Sequence, residues 1–126
     1  YYVNDFPHIG HAYTSIAADV IARFKRLDGF KVHFLTGTDE HGQKIQKSAE
    51  KANIETQKFV DSFAANFQKL SQQLNLSNDD FIRTTEERHI RFVKKVWQTL
   101  YDKGYIYLAK YSGWYAVRDE AFYQEA

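Results

Sequence analysis

Two histidines, His8 and His11, stand three residues apart in the run Pro7-His8-Ile9-Gly10-His11, with Gly10 between them. The run follows the apolar residues Tyr1-Tyr2-Val3 and opens a strongly periodic helical stretch, so the histidines sit at a strand-to-helix turn. Such a turn can hold a phosphate. Unpaired N–H groups and the positive end of the helix favour an anion, and a glycine lets a ligand approach the backbone closely. Imidazoles there add hydrogen bonds to charge that develops on phosphate oxygens during reaction. The structural alternative is a capping turn with two solvated rings. A metal chelate is a third possibility, supported by no cysteine and no further ligand pair. A second polar cluster, Asp39-Glu40-His41-Gly42, follows a later apolar run. It can bind an ammonium group or ribose hydroxyls, or it is a solvated loop whose acid caps the next helix.

Both clusters need a frame. Residues 1–4 read as a short buried strand. A helix is expected over residues 10–27, with Ala12, Ile16, Val20, Phe24 and Leu27 at helical spacing and Ala17 and Ile21 widening the stripe. Asp28-Gly29 ends it by C-cap logic. Residues 31–35 then read as a strand, followed by a polar loop over residues 36–42. Further helices are expected over residues 43–52 and 56–74, the latter with Phe59, Phe63, Phe67, Leu70 and Leu74 on its core face. A short strand is expected over residues 79–84. Thr85 is a candidate cap for a fourth helix ending near Gly104, its core face made by Ile90, Val93, Val96, Trp97 and Leu100. Residues 105–123 carry strand-like runs broken at Ser112-Gly113, a hairpin signal.

This alternation predicts an α/β fold, a mainly parallel sheet with covering helices. In such sheets ligands bind beyond the carboxyl ends of the strands. The His8–His11 turn and the Asp39–His41 loop each follow a strand, so they should share one edge and face one ligand. The basic residues Arg88, Arg91, Lys94 and Lys95 read as the wet face of the fourth helix, with a nucleic-acid role as the alternative. Trp114-Tyr115 reads as a cross-strand aromatic pair, or as a platform on which a base stacks.

Composition bounds the function loosely. The chain has 126 residues, 44% of them hydrophobic, with 10 Phe and 9 Tyr, enough for a packed core. Lys and Arg number 17 against 16 Asp and Glu, so no overall charge draws it to nucleic acid, although a local basic patch would suffice. The absence of cysteine excludes disulfides and thiolate metal sites. No apolar run has membrane-spanning length and none resembles a signal peptide. The expectation is a soluble, cytoplasmic protein without a membrane partner. The chain starts in apparent mid-strand and has no methionine, so we expect it to be a piece of something longer.

The opening block Tyr1-Tyr2-Val3-Asn4-Asp5 with His8-Ile9-Gly10-His11-Ala12-Tyr13 resembles that of class I aminoacyl-tRNA synthetases, whose signature is His-Ile-Gly-His. Three further blocks resemble the methionyl-tRNA synthetases within that class. They are Phe34-Leu35-Thr36-Gly37-Thr38-Asp39-Glu40-His41-Gly42, Phe81-Ile82-Arg83-Thr84-Thr85-Glu86-Glu87-Arg88-His89, and Gly113-Trp114-Tyr115 with Asp119-Glu120. Together they span nearly the whole chain in the family's order.

The resemblance implies a Rossmann-type catalytic domain. Residues 1–108 would be its first half, and residues 109–126 the start of a β-rich connective-peptide insertion. It implies that methionine and ATP, the latter with Mg2+, react to methionyl-adenylate, and that the methionyl group passes to tRNA(Met). Matched by motif, His8 and His11 would be catalytic and would contact the ATP phosphates. Gly10 would let adenine and ribose pack near the helix start. Tyr2 would line the methionine side-chain pocket, Asp39 would hold the methionine ammonium, and His41 would lie near the same substrate. The family's Lys-Met-Ser-Lys-Ser-type loop and anticodon-binding domain have no counterpart here. Many members bind zinc through connective-domain cysteines, and this stretch has none, with Ala116 after Gly-Trp-Tyr, so no zinc is expected in these residues. The piece alone is expected to be inactive. Two alternatives remain: another class I synthetase or nucleotidyltransferase, and a non-catalytic synthetase-like module that binds tRNA or protein.

Overall fold

A computed structural model describes residues 1–3 and 5–123 of the chain. Eight elements follow in order: α1 (Ile9–Leu27), β1 (Leu35–Thr38), α2 (Gln43–Lys51), α3 (Thr56–Gln73), β2 (Asp80–Arg83), α4 (Glu87–Asp102), β3 (Trp114–Ala116) and β4 (Ala121–Tyr123). The chain divides into two compact units, Tyr1–Val93 and Lys94–Ala126, at a point inside α4.

In the first unit β1 and β2 pair in parallel, with Leu35 opposite Asp80 and Thr38 opposite Arg83. On the other side of β1 lies the N-terminal segment. The Tyr1 ammonium donates to Gly37 O at 3.0 Å, Asp39 N donates to Tyr1 O at 2.7 Å, and Tyr2 bridges Asp39 in parallel. Tyr2 therefore forms a single bridge where a strand over residues 1–4 was expected, and Asn4 lies outside the described residues. With helices between its parallel strands, the unit is an α/β fold.

Helix α2 sets Ile45 and Ala49 one turn apart, and both are buried. Helix α3 starts under the Glu55 carboxylate, which accepts from Gln57 N and Lys58 N at 2.9 and 3.0 Å. It buries Phe59, Val60, Ala64 and Phe67. With Val3, Ile45 and Ala49 these residues make one apolar core, against which Tyr1, Phe63 and Phe81 pack. Leu70 and Leu74 of the expected stripe are half-buried.

Three departures from the sequence pattern have identifiable causes. First, the strand expected over residues 31–35 lies at Leu35–Thr38, because the parallel partner supplies hydrogen bonds there. Residues 36–38 of the expected polar loop are therefore strand. Gly37 permits this pairing: a Cβ at that position would stand 2.0 Å from Ile82 O.

Second, the apolar stripe of α1 is not its buried face. Ile16, Val20, Ile21 and Phe24 are exposed, and Leu27 is 90% exposed, whereas Ser15, Asp19 and Ala22 are buried. Polar bonds hold that face down. Asp19 Oδ1 accepts from Ser77 N and Ser77 Oγ, both at 2.6 Å, and its Oδ2 accepts from Arg23 Nε at 2.6 Å. Arg23 Nη2 continues to Asn75 O, and Arg26 reaches Ser77 Oγ and Asp79. Third, α4 buries none of its residues, so Val93, Val96, Trp97 and Leu100 are exposed. Thr85, expected to cap it, donates its hydroxyl to Glu40.

In the second unit β3 and β4 form an antiparallel hairpin, with Trp114 opposite Tyr123 and Tyr115 opposite Phe122. The turn lies at residues 117–120, where Glu120 has φ 52°, and Ser112-Gly113 leads into β3. Tyr115 and Phe122 form a cross-strand aromatic pair, ring centroids 4.9 Å apart.

Candidate active site

The turn into α1 is a capping box built from histidines. His8 is the N-cap, its backbone extended, and its Nδ1 accepts from Gly10 N at 3.1 Å. In return His8 N donates to His11 Nδ1 at 3.1 Å. The two rings stack with centroids 3.8 Å apart. Each Nδ1 thus accepts from a backbone N–H. A neutral imidazole that accepts at Nδ1 carries its proton at Nε2, so both rings present an Nε2–H as a spare donor. His11 is fixed further by edge contacts to Tyr1 (5.3 Å) and Phe67 (5.1 Å), which stack on each other at 4.7 Å. Burial holds the His11 pKa below 6.5, and the neighbouring His8 ring and the N-terminal ammonium add to that, so the neutral form of His11 dominates at pH 7. The capping turn and the phosphate site are therefore compatible: one nitrogen of each ring caps and the other is free.

The second cluster leaves the same sheet edge. Parallel pairing of Tyr2 with Asp39 means that the residues after each emerge at the carboxyl end of the sheet. Tyr1 joins the two sites, since its ring touches His11 and its carbonyl accepts from Asp39 N. Tyr2 is 57% exposed beside them. Among the described residues none hydrogen-bonds to the Asp39 carboxylate. His41 Nε2 lies 3.4 Å from Thr84 O, at the end of β2. The cap of α2 is Gly42, at φ 139°, and no acidic side chain fills that role.

Glu40 behaves unlike its neighbours. Its side chain is 0% exposed and makes bonds on both oxygens. Arg83 grips it with Nε to Oε1 at 2.7 Å and Nη2 to Oε2 at 2.9 Å. Thr38 donates at 2.6 Å, and Thr85 donates to the other oxygen. Burial works to raise the Glu40 pKa, but the hydrogen bonds from Arg83, Thr38 and Thr85 outweigh it and hold the carboxylate ionised. Arg83 reaches on to Asp61 of α3 at 2.5 Å. The sequence motif groups Glu40 with Asp39 and His41, yet only the latter two remain open to a ligand. Tyr1, Arg83 and Thr85 lie within the motif blocks, but no role in the site was expected of them from the sequence. The adjacency of an arginine and threonines at one strand end to an acid at another is the nearest thing to a local signal.

Other candidates resolve plainly. Arg88 is paired with Asp80 and Glu86, and Arg91 lies 3.8 Å from Glu87, so half of the basic run is engaged in ion pairs. Among the described residues no three His, Asp or Glu side chains gather as a metal site requires.

Known proteins share this frame. The model of the tRNA synthetases class I (M) matches residues 1–126. The methionine–tRNA ligase of Rickettsia bellii (strain RML369-C) is 64% identical over the whole chain, which spans 25% of that protein. That of Bacillus subtilis (strain 168) is 60% identical over 99% of the chain and 19% of the protein. A crystal structure of Mycobacterium tuberculosis methionyl-tRNA synthetase bound by methionyl-adenylate has a TM-score of 0.92 at 50% identity, over 98% of this chain and 25% of that one. The family's model spans residues 1–126, and the chain belongs to the tRNA synthetases class I (M).

Proposed function

We propose that the protein containing this chain is a methionine–tRNA ligase. It joins methionine and ATP into methionyl-adenylate and pyrophosphate, then transfers the methionyl group to tRNA(Met). The observation that carries this reading is the likeness to a synthetase bound by methionyl-adenylate. In this reading residues 1–108 are the first half of the nucleotide-binding domain and residues 109–126 begin the connective insertion. ATP enters as its Mg2+ complex, and the reaction takes place in the cytoplasm with no membrane partner.

The methionine carboxylate attacks the α-phosphorus in line, and pyrophosphate leaves. No nucleophilic side chain is needed, so the protein contributes positioning and charge stabilisation. His8 and His11 donate from Nε2 to phosphate oxygens without carrying net charge. Gly10 gives the nucleotide access to the start of α1. Asp39, unengaged by neighbouring side chains, receives the methionine ammonium; Tyr2 lines its side-chain pocket, and His41 stands at the rim.

The test is methionine-dependent ATP–pyrophosphate exchange by the full-length protein, with leucine, isoleucine and cysteine as competitors. Exchange specific to methionine is expected. In the same assay Asp39→Ala should raise the KM for methionine by about tenfold or more, the loss of one charge-assisted hydrogen bond. Unchanged methionine affinity would remove Asp39 from the ammonium site. No exchange by the folded wild-type protein would leave a non-catalytic binding module in its place.

A further inference from the structure

A carboxylate with no exposed surface, one residue from a substrate-binding acid, needs an account of its own. Glu40 is too buried to touch a ligand, and both of its oxygens are occupied by Arg83, Thr38 and Thr85. Its backbone is tied as well, because Glu40 N donates to Thr84 Oγ1 at 2.9 Å. Thr38 and Glu40 lie two apart on an extended segment and point to the same face, where the Thr38 hydroxyl bonds to Glu40. Side chains alternate along such a segment, so anchoring residues 38 and 40 inward turns residue 39 to the opposite face. That face is the one beside Tyr2, with which Asp39 forms its bridge.

We propose that Glu40 is a positioning residue for the amino-acid site. Its two-pronged clamp on Arg83, extended to α3 through Asp61, holds Asp39 in the orientation that receives the substrate ammonium. This rests on the assignment of methionine activation made above. The clamp spans three elements. Arg83 ends β2, Glu40 follows β1, and Asp61 lies on α3, so the acidic loop is braced against the two pieces of structure that flank it. The N-terminal segment braces it from the other side through the Asp39 N to Tyr1 O bond. No equivalent clamp holds His8 and His11, which are set by their own capping turn and by the rings of Tyr1 and Phe67. Disturbing Glu40 should therefore affect the amino acid and spare the nucleotide.

The experiment uses the full-length protein and measures exchange kinetics against methionine and ATP separately, with the thermal midpoint alongside. Glu40→Gln keeps the shape of the side chain and removes its charge. Arg83→Lys keeps the cation and removes the fork. Each is expected to raise the KM for methionine by about ten- to a hundredfold, as a misplacement of the order of 1 Å does, with the KM for ATP changed less than about twofold and Arg83→Lys the milder. If Glu40→Gln fails to fold, Arg83→Lys decides by the same readout. Unchanged methionine KM in a folded variant overturns the proposal, and so does an equal loss toward both substrates. An inactive wild-type protein instead overturns the methionine assignment and this proposal with it.

Discussion

Both nitrogens that the His8–His11 turn commits to the backbone are Nδ1 atoms, and this gives the pair its chemistry. A proton on Nδ1 would turn an acceptor into a donor facing an N–H, so the turn is made by neutral rings. Neutral rings donating from Nε2 can follow charge as it develops on phosphate oxygens without a permanent cation that binds the ground state equally well. Loss of either donor should cost about 3–4 kcal/mol in the transition state. His8→Ala and His11→Ala in the full-length protein are therefore expected to lower the adenylation rate by about a hundred- to a thousandfold, with smaller effects on methionine affinity. Near wild-type single-turnover rates in either variant would remove that role. His11→Ala should also lower the thermal midpoint, because its ring packs on Tyr1 and Phe67, whereas the more exposed His8 contributes mainly a cap.

Among the elements, β1 carries the tightest constraint. It lies between the N-terminal bridge and β2, and its Gly37 backbone approaches Ile82 so closely that a methyl group would meet the carbonyl oxygen at 2.0 Å. Gly37→Ala must either part the two strands or shift their register. A destabilisation of about 3 kcal/mol is expected by analogy with overpacked cores, read as a fall in the urea midpoint. Because Asp39 and Glu40 continue β1, and Arg83 ends β2 with Thr84 following it, the same change should also weaken methionine binding. An unaffected midpoint would show that the strands are not held at this spacing. Helix α1 is constrained differently. Its positioning comes from Asp19, Arg23 and Arg26 bonding the segment over residues 75–79, which fixes the helix whose first turn is the histidine site.

Over the whole molecule, a few charged groups are buried and several large apolar side chains are exposed. The interior of the first unit contains ionised carboxylates held by donors. Glu40 and Asp19 have pKa values below their ordinary 4.5 and 3.8, hydrogen bonds outweighing burial in both, and Arg83 and Gln57 lower that of Asp61. A carboxylate with a folded pKa below its unfolded one binds fewer protons when folded. Its stabilisation is complete above the unfolded value and is lost as pH falls through the folded one. Urea unfolding followed by circular dichroism should thus show stability level above about pH 5 and falling below about pH 4, less steeply in Glu40→Gln. Stability that rises on acidification would contradict these ion pairs. Large apolar side chains are exposed as well. Ile16, Val20 and Phe24 on α1 and Trp97 on α4 are exposed, and a cavity of about 520 Å3 opens among Ala18, Ile21, Val32, Phe34 and Leu35. The matched relatives carry much more chain than this one.

The α/β class, α2, α3 and the position of β2 were legible in the linear chain. Local periodicity and the glycine stops at Gly29 and Gly104 are carried by neighbouring residues, and the four motif blocks carry the family resemblance. What folding alone decided depends on partners far along the chain. The residues of β1 are chosen by β2, and the buried face of α1 by Ser77, 58 residues from Asp19. The inward turn of Glu40 is set by Arg83, 43 residues away. Hydrophobic spacing marks which residues can share a face. Which face is covered depends on the free energy of contacts that no local pattern contains, and here part-exposed ion pairs and hydrogen bonds to the segment over residues 75–79 settled it against the apolar stripe.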